Sequence, residues 1–145
     1  MNKVILAFIM FFIMTSASLA DSNVYITQSG AALDLDITMD GNGNAVGASN
    51  DRTLLTGANL DVDIDLIGAT NTITGDFIGA GESGSDDLKI HQTGSTNTTA
   101  LNVGASAATD DVKILETRVG SSGATTYTIG NAATVQDVSV TVDVI

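Results

Sequence analysis

The chain holds one histidine, His91, and no cysteine, so the side chains that most often carry nucleophilic, acid–base or zinc chemistry are nearly absent. His91 falls on the outward side of the alternating segment Leu88 to Gln92, where it reads as a solvated strand residue and not as the base of a Ser-His-Asp arrangement. No Gly-x-Ser-x-Gly elbow, phosphate-binding glycine loop or cysteine-based zinc pattern occurs. What remains is oxygen chemistry. Asp40-Gly41-Asn42-Gly43-Asn44, with Asp51 at the twelfth position, partly matches a calcium loop in which oxygens alternate along a tight turn. Ala45 stands where such a loop wants glycine, and Asp51 replaces the bidentate Glu, so a plain glycine and asparagine turn is the simpler reading. Calcium, held by Asp40, Asn42, Asn44 and Asp51, is the one cofactor the residues suggest. No catalytic set is expected.

Asp61, Asp63 and Asp65 alternate along one segment, and Asp34 with Asp36 along another, which puts each group on a single outward strand face. Such rows either hold cations between neighbouring strands or keep the surface from sticking laterally, and the second role is the expected one. Thr72/Thr74, Thr98/Thr99 and Thr125/Thr126 recur in comparable places. Flat threonine arrays can bind ice, but threonine is also a favoured strand residue, and that accounts for them here.

The elements that position these residues repeat. Asp86-Asp87-Leu88-Lys89-Ile90-His91-Gln92-Thr93 recurs as Asp110-Asp111-Val112-Lys113-Ile114-Leu115-Glu116-Thr117, with Arg118-Val119 as two extra residues before the next glycine. An earlier copy starts at Asp61 and the first at Asn23, and a last half copy begins near Asp137. On this reading the first-strand glycines are Gly30, Gly68, Gly94 and Gly120, and the second strands close at Gly41, Gly79, Gly104 and Gly130. Two of the three intervals between first-strand glycines are 26 residues and the earliest is 38, so residues 42–56 are expected to be an inserted loop. Val24/Ile26, Leu33/Leu35/Ile37, Val62/Ile64, Leu88/Ile90, Val112/Ile114 and Val138/Val140/Val142 keep a period of two, the mark of half-buried strands. A single strand-turn-strand unit cannot bury its apolar row, but units stacked at roughly 4.8 Å can. The expected fold is therefore all-β, a short β-solenoid with repeats near 22–47, 59–80, 86–105 and 110–133 and a half repeat at 135–145. An antiparallel sandwich is the alternative.

Composition agrees. The opening twenty residues read as a signal peptide, with Lys3 at the start, an apolar run from Val4 to Met14, and Ser18-Leu19-Ala20 at the cleavage site. Eleven apolar residues are too few for a membrane span, which needs roughly 20. The remainder, 21–145, keeps only Tyr25, Phe77 and Tyr127 as aromatics and carries a net charge of −13, four basic residues against seventeen acidic. Nucleic acid is excluded as a partner because its affinity rests on clustered Lys and Arg. An exported chain without cysteine takes its stability from hydrogen bonding and packing alone.

At Ser22-x5-Gln28-Ser29-Gly30, Met39-Asp40-Gly41-x2-Asn44 and Gln92-Thr93-Gly94-x2-Asn97 the sequence resembles the curlin repeat, with its Gln-x-Gly-x2-Asn core between alternating strands. Curlin subunits are secreted, cysteine-free proteins of bacterial extracellular amyloid fibres, and similar repeats occur in small exported or virion-associated proteins of marine phages. The glutamine position is held instead by Leu66 in one copy and by Glu116 or Arg118 in another, and the asparagine position by Leu33 in the first copy and by Gly123 in the fourth. The resemblance implies a secreted structural protein that self-associates end to end, with a nucleator or cell-surface partner. The ladder and corner residues would be Gln28, Gly30, Gly41, Asn44, Gly68, Asn71, Gln92, Gly94, Asn97, Gly104, Glu116, Gly120 and Gly130. The alternative is a calcium-dependent adhesin or a phage surface module.

Overall fold

Small aliphatic side chains at every second position can close a core only between two sheets that face each other at short range. The computed structural model, which describes residues 22–30, 32–47, 53–57, 59–79, 86–104, 111–130 and 135–145, has this construction. In chain order the strands are β1 (Ser22–Val24), β2 (Thr27–Ser29), β3 (Leu33–Asp40), β4 (Gly43–Val46), β5 (Thr53–Gly57) and β6 (Leu60–Ile67). They continue as β7 (Thr70–Gly79), β8 (Asp86–Thr93), β9 (Thr96–Val103), β10 (Val112–Val119), β11 (Ser122–Ile129) and β12 (Ser139–Val144). One sheet, here the acidic sheet, stacks β3, β6, β8, β10 and β12. The other, the threonine sheet, stacks β1 with β2, β4 with β5, then β7, β9 and β11. The paired strands run parallel, and the chain passes from sheet to sheet as it climbs: a β-solenoid of about four turns.

Register in the acidic sheet is continuous. Leu35 lies against Val62, Val62 against Leu88, Leu88 against Ile114 and Ile114 against Val140. The next inward column runs Ile37, Ile64, Ile90, Glu116 and Val142. Across the core, Val46, Leu55, Ile73, Phe77, Leu101 and Val103 of the threonine sheet complete the seam. Each fully buried aliphatic side chain contributes about 1.5–3 kcal/mol, so the rod is held by many equal increments and not by one large nucleus.

The first repeat differs from the sequence reading. Asn23 to Gly30 is not a first strand: β1 and β2 lie in the threonine sheet, and β3 is the strand that matches β6, with Leu33 opposite Leu60. Gly41, not Gly30, therefore stacks under Gly68, and the interval of 38 disappears. Residues 42–56 are not an inserted loop either. They contain β4 and β5, which pair with the two halves of β7 at Gly43 to Val46 against Thr70 to Ile73 and Thr53 to Gly57 against Gly75 to Gly79. The partners of Val46 and Thr53 in β7, Ile73 and Gly75, are two positions apart, so the extra length of this repeat falls between β4 and β5. The reason is that alternation is the same in both sheets, so it cannot tell which sheet a strand belongs to; the corners decide that.

A second correction concerns β10. Val112 pairs with Asp86, and Ile114, not Val112, lies against Leu88. Arg118 and Val119 pair with Gln92 and Thr93, and β10 follows β8 at the same spacing of 26 residues that separates Phe77 from its partner Val103, so this copy carries no extra residues. A shift of two keeps every side chain on its own face, so the apolar pattern is blind to it, while the stacked corner glycines are not.

Candidate functional site

The corners are built from a column of glycines in van der Waals contact. The N–H groups of Gly41, Gly68 and Gly94 donate to the carbonyls of Ile67, Thr93 and Val119 one rung away, at 3.0, 2.9 and 3.0 Å. A Cβ added at Gly68, Gly94 or Gly120 would collide with the carbonyl oxygen of the glycine beneath it, Gly41, Gly68 or Gly94. Close backbone approach, more than backbone angle, is what requires glycine there. Gly30, Gly104 and Gly130 sit at the opposite corner, their N–H groups bonded to Thr56, Phe77 and Val103.

Beside the first corner runs a buried amide ladder. Asn44 Nδ2 donates to Asn71 Oδ1 at 3.0 Å, and Asn71 Nδ2 donates to Asn97 Oδ1 at 2.9 Å. The same amides bond the carbonyls of Ile67, Thr93 and Val119, so each asparagine ties its own corner to the rung above. The ladder ends where Gly123 takes the next position; there Arg118 Nη1 reaches Asn97 O at 3.4 Å. Asn44 is thereby turned into the core, while Asp40 and Asn42 are exposed. These residues do not converge as calcium ligands, and Asp51 lies outside the described residues.

No glutamine ladder forms. Gln28 is in the threonine sheet, beneath Leu55, and Gln92 in the acidic sheet lies between Leu66 and Arg118. Register thus assigns the glutamine column to Arg118. Glu116 stands opposite Ile90, in a column otherwise of Ile and Val.

Glu116 is fully buried, and it is satisfied. Its Oε1 accepts from Thr99 Oγ1 at 2.8 Å and Thr125 Oγ1 at 3.0 Å, and its Oε2 from the Tyr127 hydroxyl at 2.7 Å. Arg118 Nε lies 3.5 Å from Oε1. Three hydroxyl donors and a guanidinium compensate a charge that would otherwise be costly to bury. Burial, reinforced by the hydrogen bond to Glu116, pushes the Tyr127 hydroxyl pKa well above the ordinary tyrosine value. Sequence reading missed this cluster because Thr99 and Thr125 looked like members of a surface threonine row. Neighbouring residues alternate, so Thr98 and Thr126 face outward and Thr99 and Thr125 inward. The available signal was a carboxylate interrupting an aliphatic column, with one of the few tyrosines on the strand that follows.

On the outer acidic face, Asp34 lies against Asp61 and Asp36 against Asp63. Lys89 Nζ approaches Asp61 Oδ1 at 3.4 Å, and that carboxylate holds the lysine pKa above its usual value. His91 Nδ1 is 3.3 Å from Asp65 Oδ1, both half exposed. Such exposed pairs contribute little stability. Among the described residues, no group of three or more acidic, His or Cys side chains is placed to hold a metal.

Among the described residues, both ends of the rod present strands paired on one side only. At the leading end β1, β2 and β3 each pair on one side only, as do β11 and β12 at the trailing end. Comparison with known proteins gave no family model, no curated protein and no solved structure that matches the chain. Val24, Ile26, Leu33 and Leu35 are half-buried at the leading end, and Tyr127, Val138 and Val140 at the trailing end. Ile129, Val142, Val144 and Ile145 are exposed. Among the described residues, no helix is long and apolar enough to cross a membrane.

Proposed function

We propose that this protein is an exported structural protein that forms or decorates an extracellular fibre by stacking end to end, as curlin repeats do. The observation that carries this reading is the phase of the two ends. Each sheet has five levels of strand; the described chain starts in the threonine sheet with β1 and stops in the acidic sheet with β12. A following copy would resume in the threonine sheet, so the climb from sheet to sheet continues without a break. Its β1 and β2 would lie on β11, and its β3 on β12. Val140 would then meet the next copy's Leu35, extending the column from Leu35 through Val62, Leu88 and Ile114. Unpaired donors and acceptors at both ends are satisfied by the same step. The joint is head-to-tail and does not close, which gives a filament.

Two end-blocked variants test it: Val24→Lys with Leu35→Lys at the leading end, and Val142→Lys with Val144→Lys at the trailing end. Each alone, checked by circular dichroism for retained strand content, should form no fibres under the electron microscope. Mixed in equal amounts, they should give heterodimers and nothing longer by sedimentation velocity, because joining the free trailing end of one to the free leading end of the other leaves both outer ends blocked. Fibres from either variant alone, or dimers of one variant with itself, would count against the reading.

A further inference from the structure

The buried cluster around Glu116 holds more than a salt bridge, and its parts match an acyl transfer. Thr99 on β9 and Gln92 on β8 face each other across the core of one rung, with Thr99 Oγ1 3.4 Å from Gln92 Oε1. Thr99 has a single hydroxyl proton and two neighbours that could accept it. Glu116 Oε1, at 2.8 Å and accepting from further hydroxyls on both its oxygens, takes that proton. The lone pairs of Thr99 Oγ1 are then left toward the carboxamide of Gln92. A hydroxyl held against a carboxylate base and beside a carboxamide has the nucleophile, base and acyl group of an acyl transfer side by side.

The rest of the cluster supplies what such a step needs. Arg118 stands opposite Gln92 on the adjacent strand. Its Nε, buried and 3.5 Å from Glu116 Oε1, brings a cation into the cluster in which negative charge would develop on Gln92 Oε1. Thr125 and Tyr127 fix the Glu116 carboxylate from the threonine sheet. Gln92 and Glu116 are both fully buried and Thr99 nearly so, so bulk water does not compete at the acyl carbon. Holding the partners together replaces an encounter between molecules with an intramolecular step, which alone can be worth about 7–11 kcal/mol of barrier.

We propose that Thr99 and Gln92 join in an autocatalytic ester cross-link between the two sheets. Glu116 removes the Thr99 proton as Oγ1 adds to Gln92 Cδ. The tetrahedral oxyanion collapses with loss of the Gln92 amide nitrogen, which receives the proton back from Glu116 and leaves as ammonia. One C–O bond forms, one C–N bond breaks, and Glu116 ends as it began. No oxidant, metal or cofactor is required. The product is a covalent strut across the rung in a chain that has no cysteine, and the proposal does not depend on fibre formation.

Mass spectrometry of the folded protein decides it. After incubation at neutral pH, the wild type should be lighter by one ammonia. The tryptic peptide spanning Ile90 to Lys113 should carry that loss and yield no backbone fragments between Gln92 and Thr99. Thr99→Val, Gln92→Leu and Glu116→Gln should each retain the full mass. The wild type held in denaturant should do so as well, which keeps the test independent of whether a variant folds. An unchanged mass in folded wild type would overturn the proposal, as would an ammonia loss that persists in Thr99→Val; the latter would place it elsewhere, such as at Asn97.

Discussion

A carboxylate fully enclosed by a thin solenoid must be held by charge-assisted hydrogen bonds, and Glu116 is held by two threonines and a tyrosine. This gives the interior a pH dependence whose sign follows from Tyr127. Its folded pKa is raised, chiefly by burial and then by the Glu116 hydrogen bond. The contribution is therefore fully present below the unfolded value of about 10 and is lost as pH rises above it. Chemical denaturation between about pH 10 and 12 should show wild-type stability falling more steeply than that of Tyr127→Phe. Lys89 shifts in the same direction, but it is exposed and common to both proteins, so it cancels in the comparison. Parallel curves for the two proteins would show that the hydroxyl is not buried against Glu116. The sequence gives Glu116 and Tyr127 as residues but not as neighbours. Bringing β10 and β11 together in this way depends on a register that alternation leaves open by two.

At the scale of the element, the corner glycines do what the strands cannot. Strand pattern fixes which side chains point inward, and that much is readable from Val62, Ile64, Leu88 and Ile90 without coordinates. Which sheet β1 and β2 occupy is not readable, because Val24 and Ile26 alternate in the same way whichever sheet receives them. The phase is set by the columns Gly41, Gly68, Gly94, Gly120 and Asn44, Asn71, Asn97, whose members touch along the rod. Gly94→Ala tests this directly. The added methyl meets the Gly68 carbonyl, and overpacking of this kind should cost about 1–3 kcal/mol. Urea denaturation should show that loss, whereas Ser95→Ala on the exposed neighbouring residue should change stability by less than about 0.5 kcal/mol. Equal effects at the two positions would mean that the corners are not in contact.

For the whole molecule, equal numbers of strand levels in the two sheets make the described rod a unit that can be added to itself without a phase error. Its acidic face opposes that addition, since Asp34, Asp36, Asp61 and Asp63 crowd toward the leading end. Screening by salt should therefore speed assembly. Repeat architecture and the half copy at the trailing end were legible from residue spacing. The composite joint was not, because it needs the frame of the first repeat, and that frame was hidden by the extra sequence length between β4 and β5. The most direct measurement is the axial rise per subunit in the assembled fibre by cryo-electron microscopy. Five levels at about 4.8 Å predict one copy every 24 Å or so, with the folded rod unchanged inside it. A rise of a single strand spacing of about 4.8 Å per chain would mean that each copy had unfolded into a flat layer, and would contradict stacking of preformed solenoids.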